Sequence, residues 1–363
     1  MTQVWLAELA WPGYGSPLAQ AGFAIAENRV LAFGSQAELN ARFPFSEPVY
    51  YAYLGVPPAN PHTHLDLSRL ATYHGDYLGF VRYVIKNRAS RNLDAAQKGM
   101  GELLANGTGA FGDIVTDPQV MRWLLESSPL PGIAYWEVLD PNPETARETF
   151  EHTRRLLAEF RSWSSGTVKV GISPHAPHTV SPELLRDLAL LAQDQGYPMA
   201  IHVGEFASEL EYFQTGGGPL LGLVPPLAEH YRNSSPLAHL ASLGVLAAHP
   251  LLVHGIQLPL SELAGNQVVL CPRSNRNLAV GMPTSDLANS GLELALATDS
   301  RASAESLELR EEQELLFALG FSPAGWIWTG GWRALGLTPK PILTGSPASA
   351  IYRKSGKTPG PGK

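Results

Sequence analysis

The central part of the chain alternates short apolar runs with longer stretches in which apolar residues recur at helical spacing. The apolar runs occupy residues 55–62, 109–115, 132–138, 168–173, 199–203, 251–255, 268–271 and 294–299. Strands that are apolar almost throughout are buried on both faces, which is typical of a parallel sheet covered by helices. Eight such strands alternating with helices predict an α/β fold, a (β/α)8 TIM-like barrel over residues 55–320.

One of the intervening helices is easy to follow in the sequence. Ser181 suits the N-cap, Pro182 suits the first helical position, and Gly196 suits the end. Between them, apolar residues recur at helical spacing at Leu184, Leu185, Leu188, Leu191 and Ala192. The same periodicity predicts helices over 144–163 and 303–319.

The two chain ends have a different pattern. Short β segments separated by turn residues occur at 4–7, 22–26 and 29–33, with weaker ones at 342–343 and 350–352. They predict a small, separate sheet of antiparallel strands within residues 1–54 and 321–363. The last residues, 358–363, are rich in Pro and Gly, and we expect them to be frayed.

Composition narrows the function classes. The 363 residues carry a formal net charge of −7, with 44% hydrophobic and 16% charged residues. The chain should therefore be globular. Its net negative charge disfavours binding to nucleic acid or to an anionic membrane. No apolar segment approaches the roughly 20 residues needed to span a membrane, and the N-terminus lacks a signal-peptide pattern. We expect a cytoplasmic protein that acts on a small molecule, with a homo-oligomer left open.

The single cysteine, Cys271, excludes an intramolecular disulfide and suits a reducing compartment. It directly follows the apolar run 268–270, where a cysteine is more often a small core residue than a catalytic thiol. We therefore expect no thiol chemistry.

Histidines end several of the apolar runs. His62 and His64 lie two apart and point to one face of a strand, while His202 and Asp299 end two other runs. The C-terminal ends of barrel strands meet at the active site. Three neutral imidazoles and one carboxylate can hold a divalent ion and leave a position for water, whose pKa falls towards about 7. These residues predict one metal ion, Zn²⁺ first with Fe²⁺ as the alternative, and hydrolytic chemistry.

Three further residues are candidates for proton transfer and substrate contact. Glu205 follows His202 by three residues and can pass a proton to a ring nitrogen of a substrate, although a helix-capping contact would explain it equally well. His254 can orient or deprotonate hydroxide or stabilise a leaving group, or it can be a core histidine bonded to a backbone carbonyl. His175 can hydrogen-bond a heteroatom of the substrate.

Two arginines, Arg273 and Arg276, lie near the end of the seventh run. Either guanidinium can pair with a carboxylate on the substrate, the alternative being a solvated surface charge. Gly216-Gly217-Gly218 falls in a predicted loop after the fifth run and can let a lid move, or it is a plain flexible connection.

Six motifs, in this order, resemble the amidohydrolase superfamily in its cytosine deaminase, guanine deaminase and chlorohydrolase branch. They are Pro61-His62-Thr63-His64-Leu65-Asp66, Ser173-Pro174-His175-Ala176-Pro177, His202-Val203-Gly204-Glu205, Val253-His254-Gly255, Cys271-Pro272-Arg273-Ser274-Asn275 and Thr298-Asp299-Ser300. The resemblance spans residues 55–319. It implies a barrel with a small β-sandwich built from both chain ends, for which the C-terminal part is short.

The resemblance also implies roles for residues. The implied metal ligands are His62, His64, His202 and Asp299. Glu205 would shuttle a proton, while His254 and Asp299 would position and activate hydroxide. His175 and Ser300 would contact the substrate.

The implied reaction is hydrolytic deamination of an amino-substituted heteroaromatic ring, in which metal-bound hydroxide attacks the amine-bearing carbon and ammonia leaves. Among members of this branch, those that act on 6-aminodeoxyfutalosine or on adenosine-like nucleosides suggest the candidate substrates. The same site could instead release chloride or open a cyclic amide, and a non-catalytic metal-binding protein is a third alternative. Glu205 favours deamination, because amine loss from an aromatic ring needs protonation of a ring nitrogen.

Overall fold

The computed structural model describes residues 2–355 except 165, 289, 322 and 324. The chain forms two compact units, Ala59–Leu335 and the described parts of Met1–Pro58 and Gly336–Lys363. The tail at 358–363, which the sequence predicts to be frayed, lies outside the described residues.

Both units contain strands. In chain order they are β1 (Gln3–Trp11), β2 (Leu18–Ala26), β3 (Arg29–Ser35), β4 (Pro48–Gly55), β5 (Ala59–Thr63), β6 (Ala110–Val115), β7 (Gly132–Val138), β8 (Val168–Pro174), β9 (Ala200–Val203), β10 (Leu251–His254), β11 (Gln267–Leu270), β12 (Glu293–Leu296) and β13 (Tyr352–Lys354).

The helices fill most of the connections. The α-helices are α1 (Gln36–Arg42), α2 (Tyr77–Lys86), α3 (Leu93–Ala105), α4 (Pro118–Ser127), α5 (Ala146–Trp163), α6 (Pro182–Gln195), α7 (Ala207–Thr215), α8 (Pro236–Ser242), α9 (Leu260–Leu263), α10 (Pro272–Asn277), α11 (Ser285–Ala288), α12 (Leu309–Ala318) and α13 (Gly331–Ala334). Short 3₁₀ helices occur at Leu65–Leu67, Arg88–Ser90, Pro219–Gly222, Glu229–Tyr231, Val245–Ala248 and Ala348–Ala350, and a π-helix at Trp326–Gly330.

The larger unit contains two four-stranded parallel sheets, with strand orders β5-β6-β7-β8 and β12-β11-β10-β9. Isolated parallel bridges, Thr63 to Asp299 and Ile172 to Met199, connect β5 and β8 to residues that flank β12 and β9. Each of the eight predicted apolar runs is confirmed as a strand. β5 and β6 are buried along their whole length, which explains why these runs lack polar alternation.

The predicted helices are present with small changes in their ends. α6 begins at Pro182 and ends before Gly196, whose φ of 66° is left-handed, although the Ser181 hydroxyl makes no capping bond. Its buried face includes Leu184, Leu185 and Leu188, each contributing about 2 kcal/mol by leaving water. The helices predicted at 144–163 and 303–319 are α5 and the shorter α12.

The smaller unit is a five-stranded mixed sheet with strand order β13-β4-β1-β2-β3. β1 pairs antiparallel with β2 but parallel with β4, so the expectation of purely antiparallel strands is wrong. β13, next to the segment predicted at 350–352, adds the C-terminal end to this sheet, whereas 342–343 form no strand in the described part of the chain. A second sheet, which a β-sandwich requires, is not seen among the described residues of this unit.

Within the described ranges, no helix has the length and apolar character needed to cross a membrane.

Candidate active site

Three histidines and one aspartate converge at the C-terminal ends of β5, β9 and β12. His62 lies in β5 and His64 follows it directly, His202 lies in β9, and Asp299 follows the end of β12. The side chains are buried or nearly so. The structure thus brings together the four residues that the sequence analysis predicts as metal ligands.

The donor atoms of this cluster face one another at close range. The Nε2 atoms of His62 and His202 are 3.2 Å apart, and Oδ1 of Asp299 lies 3.6 Å from Nε2 of His62 and 3.5 Å from Nε2 of His64. Ligand atoms of the three histidines all lie within 4.8 Å of one another. Two imidazole lone pairs this close repel unless a proton or a cation lies between them. The donor set therefore fits a divalent ion such as Zn²⁺ or Fe²⁺.

Surrounding groups fix the orientation of these donors. Nδ1 of His202 donates to the carbonyl of His175 at 2.9 Å, so Nε2 carries the lone pair that faces the cluster. Oδ2 of Asp299 accepts hydrogen bonds from Ser274 and Ser303, at 2.6 and 2.9 Å, which turns Oδ1 towards the histidines. Asp299 also has a φ of 57°, a left-handed conformation that costs a non-glycine residue about 1–3 kcal/mol. The surrounding fold holds the carboxylate in place against that strain.

The protonation states suit a metal site. Burial lowers the pKa of His64 and of His202 well below the ordinary value of 6.5. Burial also raises the pKa of Asp299, but its contacts with His62 and His64, whose Nε2 atoms lie 3.6 and 3.5 Å from Oδ1, outweigh burial and hold that pKa well below 3.8. Neutral imidazoles and an ionised carboxylate are the forms that bind a metal ion.

Glu205 lies in the loop after β9, with its carboxyl group buried beside the cluster. Its Oε1 is 3.5 Å from Nε2 of His254. Burial and the charge of Asp299 raise the pKa of Glu205 well above 4.5, against a hydrogen bond from Tyr77 that lowers it. A carboxyl group with a raised pKa keeps its proton to a higher pH and can give that proton to a bound molecule. The N-cap of α7 is Phe206, so Glu205 does not cap that helix.

His254 ends β10 in a left-handed backbone conformation, with a φ of 74°. Its Nδ1 donates to Oδ1 of Asn275 at 3.0 Å, which leaves Nε2 to face Glu205. Burial lowers the pKa of His254 to about 4, so the ring is neutral and can accept a hydrogen bond through Nε2. Asn275 belongs to α10, which also carries Ser274. One short helix therefore positions both His254 and Asp299.

A cavity of about 300 Å³ opens onto these residues. One wall is apolar and comes from α2 and the segment 220–224, through Tyr77, Phe80, Val81, Val84, Ile85, Leu220, Leu223 and Val224. Polar side chains line the rest, among them His175, Thr179, Arg91 and Glu137. Apolar walls with a few converging polar groups are typical of a site for a small organic molecule.

Comparison with protein families agrees with this geometry. The family described as "Amidohydrolase family" matches residues 59–335, which is most of the chain. The chain belongs to the amidohydrolase family.

Individual amidohydrolases extend the match. The chain is 39% identical over 326 residues to an aminodeoxyfutalosine deaminase of Deinococcus radiodurans, covering 84% of this chain and 78% of that relative. It superposes on an aminofutalosine deaminase of Helicobacter pylori in complex with methylthio-coformycin with a TM-score of 0.71, at 21% identity over 94% of this chain and 90% of that one. An adenosine deaminase of Xanthomonas campestris with bound zinc gives a TM-score of 0.69, at 20% identity over 95% and 83%.

These likenesses show a TIM-barrel-like α/β fold. With its deaminase relatives, this amidohydrolase is a hydrolase that acts on C–N bonds.

Two of the predicted substrate contacts lie at the cavity of this amidohydrolase. His175 lines the cavity, its Nδ1 lies 2.9 Å from the Thr179 hydroxyl, and burial lowers its pKa to about 3. Ser300 also lines the cavity, and its hydroxyl lies 2.8 Å from that of Ser303. Both side chains are thus placed where a bound molecule can reach them.

Arg273 is not among the described residues that line the cavity. Its buried guanidinium donates to Glu312 at 2.7 Å, to the hydroxyl and the carbonyl of Ser306 at 2.9 and 2.8 Å, and to Glu311. These partners use its N–H groups, so the expected pairing with a substrate carboxylate is corrected to a structural role that ties α10 to α12. Arg276, the alternative, does not line the cavity either.

Two charged residues of the cavity wall, Arg91 and Glu137, were not predicted from the sequence. Arg91 precedes α3 and donates through Nε to Asp66 at 2.8 Å. In β7 the ring of Trp136 packs on Phe160 of α5, so Glu137 faces the opposite side. That alternation was the signal in the sequence for Glu137, whereas nothing local distinguishes Arg91 from a surface arginine.

Proposed function

We propose that this amidohydrolase is a metal-dependent deaminase that removes the amino group from the heteroaromatic ring of an adenosine-like nucleoside, with 6-aminodeoxyfutalosine as the first candidate. The observation that carries the proposal is the buried carboxyl group of Glu205 beside three histidines and Asp299. The relative from Deinococcus radiodurans at 39% identity is an aminodeoxyfutalosine deaminase, which supports this choice of substrate.

The metal site would use the ligands predicted from the sequence: His62, His64, His202 and Asp299. Nitrogen donors with one carboxylate suit Zn²⁺, which we expect, and Fe²⁺ as the alternative. The chemistry that such an ion supplies is hydroxide at neutral pH, because it lowers the pKa of water to about 7.

Glu205 and His254 would carry the proton transfers. As hydroxide adds to the ring carbon that bears the amine, Glu205 gives its proton to the adjacent ring nitrogen. The Glu205 carboxylate then takes the proton of the added hydroxyl group and passes it to the amine, which leaves as ammonia while a carbonyl forms. Neutral His254, 3.5 Å from Glu205, would hold the attacking oxygen by accepting its hydrogen through Nε2.

The architecture we propose places this chemistry at one end of a barrel. The bridges Thr63 to Asp299 and Ile172 to Met199 support closure of β5 to β12 into one (β/α)8 barrel. That barrel would be the catalytic domain, with its site at the C-terminal ends of the strands, and the smaller unit would be a separate β domain from both chain ends. The sandwich character of that domain, a cytoplasmic location and a homo-oligomer stay predictions.

Ammonia release tests the proposed reaction. Protein reconstituted separately with Zn²⁺ and Fe²⁺ would be assayed with aminodeoxyfutalosine, adenosine, guanine and cytosine. We expect ammonia from the nucleosides, and a kcat about 10²-fold to 10⁴-fold lower in Glu205→Gln, because this variant lacks the proton donor. Glu211→Gln changes an exposed residue in α7, close in sequence, and should keep the wild-type kcat.

Metal content, measured on the same samples, separates a lost proton donor from a lost ion. No ammonia from fully metallated wild-type protein would contradict the proposal. Chloride release or opening of a cyclic amide would then indicate the alternative hydrolases, and no turnover of any of these compounds would indicate a non-catalytic metal-binding protein.

A further inference from the structure

We propose that Arg91 and Glu137 form a binding site for the sugar hydroxyl groups of a nucleoside, a step that rests on the proposed function and names the part of the substrate these residues recognise. Both side chains line the cavity of about 300 Å³ into which the metal-ligand cluster also opens. Neither belongs to that cluster or to the proton-transfer residues. They are charged groups in the cavity that the chemistry at Glu205 does not use.

Glu137 lines the cavity from β7. Its neighbour Trp136 points away, towards α5, and Glu137 pairs in register with Ser173 of β8. At the end of the same strand pair, the backbone N–H of His175 donates to the carbonyl of Val138 at 3.0 Å, so Glu137 and His175 lie on the same rim. No other described residue hydrogen-bonds the Glu137 side chain, which leaves its oxygens to accept from a ligand.

Part of the Arg91 guanidinium group is hydrogen-bonded within the protein, and part of it is not used by any described residue. Its Nε and Nη2 donate to Asp66 at 2.8 and 3.4 Å, and Asp66 also accepts from Thr116 at 3.2 Å. The side chain is 19% exposed, and no described residue accepts a hydrogen bond from Nη1. The ion pair therefore holds the guanidinium in place at the cavity wall, and Nη1 is not used by any described residue.

The charge balance of this pair favours neutral ligand groups over anions. Asp66 already neutralises Arg91, and Glu137 adds negative charge when ionised. Arg91 and Glu137 line the same cavity, where burial raises the pKa of Glu137 to about 7 and the charge of Arg91 acts to lower it. A carboxylate or phosphate would meet net negative charge, whereas a hydroxyl group both donates and accepts and so matches a carboxyl group beside an N–H donor. Two neighbouring hydroxyls of a sugar provide both contacts.

The positions of Arg91 and Glu137 suit the sugar of a nucleoside whose amine-bearing edge faces Glu205. Glu205 follows β9, which belongs to one parallel sheet. Glu137 lies in β7 of the other sheet, and Arg91 lies in the connection between β5 and β6 of that sheet. In adenosine the amine-bearing edge of the purine and the nitrogen that carries the sugar lie on opposite sides of the ring. A base that presents its amine to Glu205 therefore directs its sugar away from β9, and the apolar wall from α2 can cover the ring.

Equilibrium binding of matched nucleosides tests this site. Adenosine, 2′-deoxyadenosine and 3′-deoxyadenosine would be titrated calorimetrically into metallated Glu205→Gln protein, so that no ligand is consumed. We expect at least one deoxynucleoside to bind about 10-fold to 100-fold more weakly than adenosine, as for a lost hydrogen bond to a charged group. Adding Glu137→Leu should weaken adenosine by a similar factor and leave that deoxynucleoside unchanged, so the difference disappears.

Two further variants sharpen the test. Arg91→Lys keeps a charge for Asp66 but loses the planar fork, and should reduce the discrimination in part. Glu126→Leu removes an exposed glutamate of α4 that pairs with Arg122, and should leave the discrimination unchanged. Thermal melting confirms that each variant is folded.

Several results would overturn the inference. They are equal binding of all three nucleosides, discrimination that survives Glu137→Leu, or no binding of adenosine at all. A failure of the proposed function looks different, since it is the absence of ammonia release from the wild-type protein.

Discussion

Arg273 and Arg91 are both paired with buried carboxylates, but the two arginines differ in how many of their donors bind other residues. Arg273 has a side chain only 4% exposed and donates from Nε, Nη1 and Nη2 to residues of α12 and the segment before it. Arg91 lines the cavity with a side chain that is 19% exposed, and Asp66 is the one hydrogen-bond partner of its guanidinium among the described residues. An arginine whose donors all bind protein fixes the structure, whereas one with a free donor beside a cavity can recognise a ligand.

The region around Arg273 fixes the residues that carry the chemistry. Arg273 is followed in α10 by Ser274, which bonds Asp299, and by Asn275, which bonds His254. In the described part of the chain, the region around Arg91 has no comparable network where it faces the cavity, and Glu137 lines the cavity there. One side of the site is therefore pre-formed, and the other is completed by the ligand.

The largest effect we expect is the loss of stability in Arg273→Ala. This change leaves the buried Glu312 carboxyl group without its partner, which typically lowers the free energy of unfolding by about 3–5 kcal/mol. Urea unfolding of metallated protein measures it.

Arg310→Ala is the matched control. Arg310 lies in α12 next to the two glutamates that bind Arg273, but it makes an exposed pair with Glu314. It should cost less than about 1 kcal/mol. If both variants unfold at the same urea concentration, Arg273 does not fix this region and the contrast with Arg91 fails.

A smaller effect, on kcat, is expected from Asn275→Ala. The variant removes the acceptor of the His254 Nδ1 hydrogen at 3.0 Å, so the ring can turn or change tautomer and Nε2 no longer faces Glu205. We expect kcat to fall by about 10-fold with KM unchanged, the effect of one buried hydrogen bond. Steady-state kinetics on the nucleoside gives both constants.

Asn275→Asp keeps the acceptor oxygen and should restore a large part of kcat. A rise in KM with an unchanged kcat in Asn275→Ala would instead place Asn275 among the residues that bind substrate, and the division between the two sides of the site would be lost.

The strands that carry the site were predictable because their burial leaves a local trace. β5 to β12 are buried on both faces, so each reads as an apolar run, and His62, His202 and His254 stand at the C-terminal ends of three of them. β4 leaves a weaker trace, because its first half is largely exposed and its parallel pairing with β1 depends on a distant segment. The number of sheets in the smaller unit likewise depends on tertiary pairing.

Choosing the right arginine needed information that the local sequence does not contain. Arg273 stands at a strand end, as a substrate contact would, but its donors are used by Glu311 and Glu312, nearly forty residues away. Arg91 lies in a connection with no recognisable pattern, and its neighbour Asp66 is 25 residues away. Whether a charged side chain is free for a ligand is decided by such long-range pairs.

The smallest effect we expect is a change in the pH dependence of stability when Glu137, in the region around Arg91, is replaced. Burial raises the pKa of Glu137 from 4.5 to about 7 in the folded protein, so between these two values the folded state holds a proton that the unfolded state has lost. This group therefore makes the wild-type protein less stable as pH rises from about 4.5 to about 7. The glutamine in Glu137→Gln does not titrate, so the free energy of unfolding of this variant minus that of the wild type should rise between these two pH values. We expect a rise of about 1 kcal/mol, which is less than the pKa shift alone would give, because solvent that reaches the cavity screens the carboxyl group.

Urea unfolding at pH 5 and at pH 8 measures this difference. Taking the variant minus the wild type at each pH cancels the titration of the histidines and Asp299, which both proteins share. Glu126→Gln, an exposed change, should show no such rise. If the difference for Glu137→Gln does not change with pH, the Glu137 carboxyl group is well solvated or hydrogen-bonded in the folded state. The region around Arg91 would then lack the desolvated acceptor that distinguishes it from the region around Arg273.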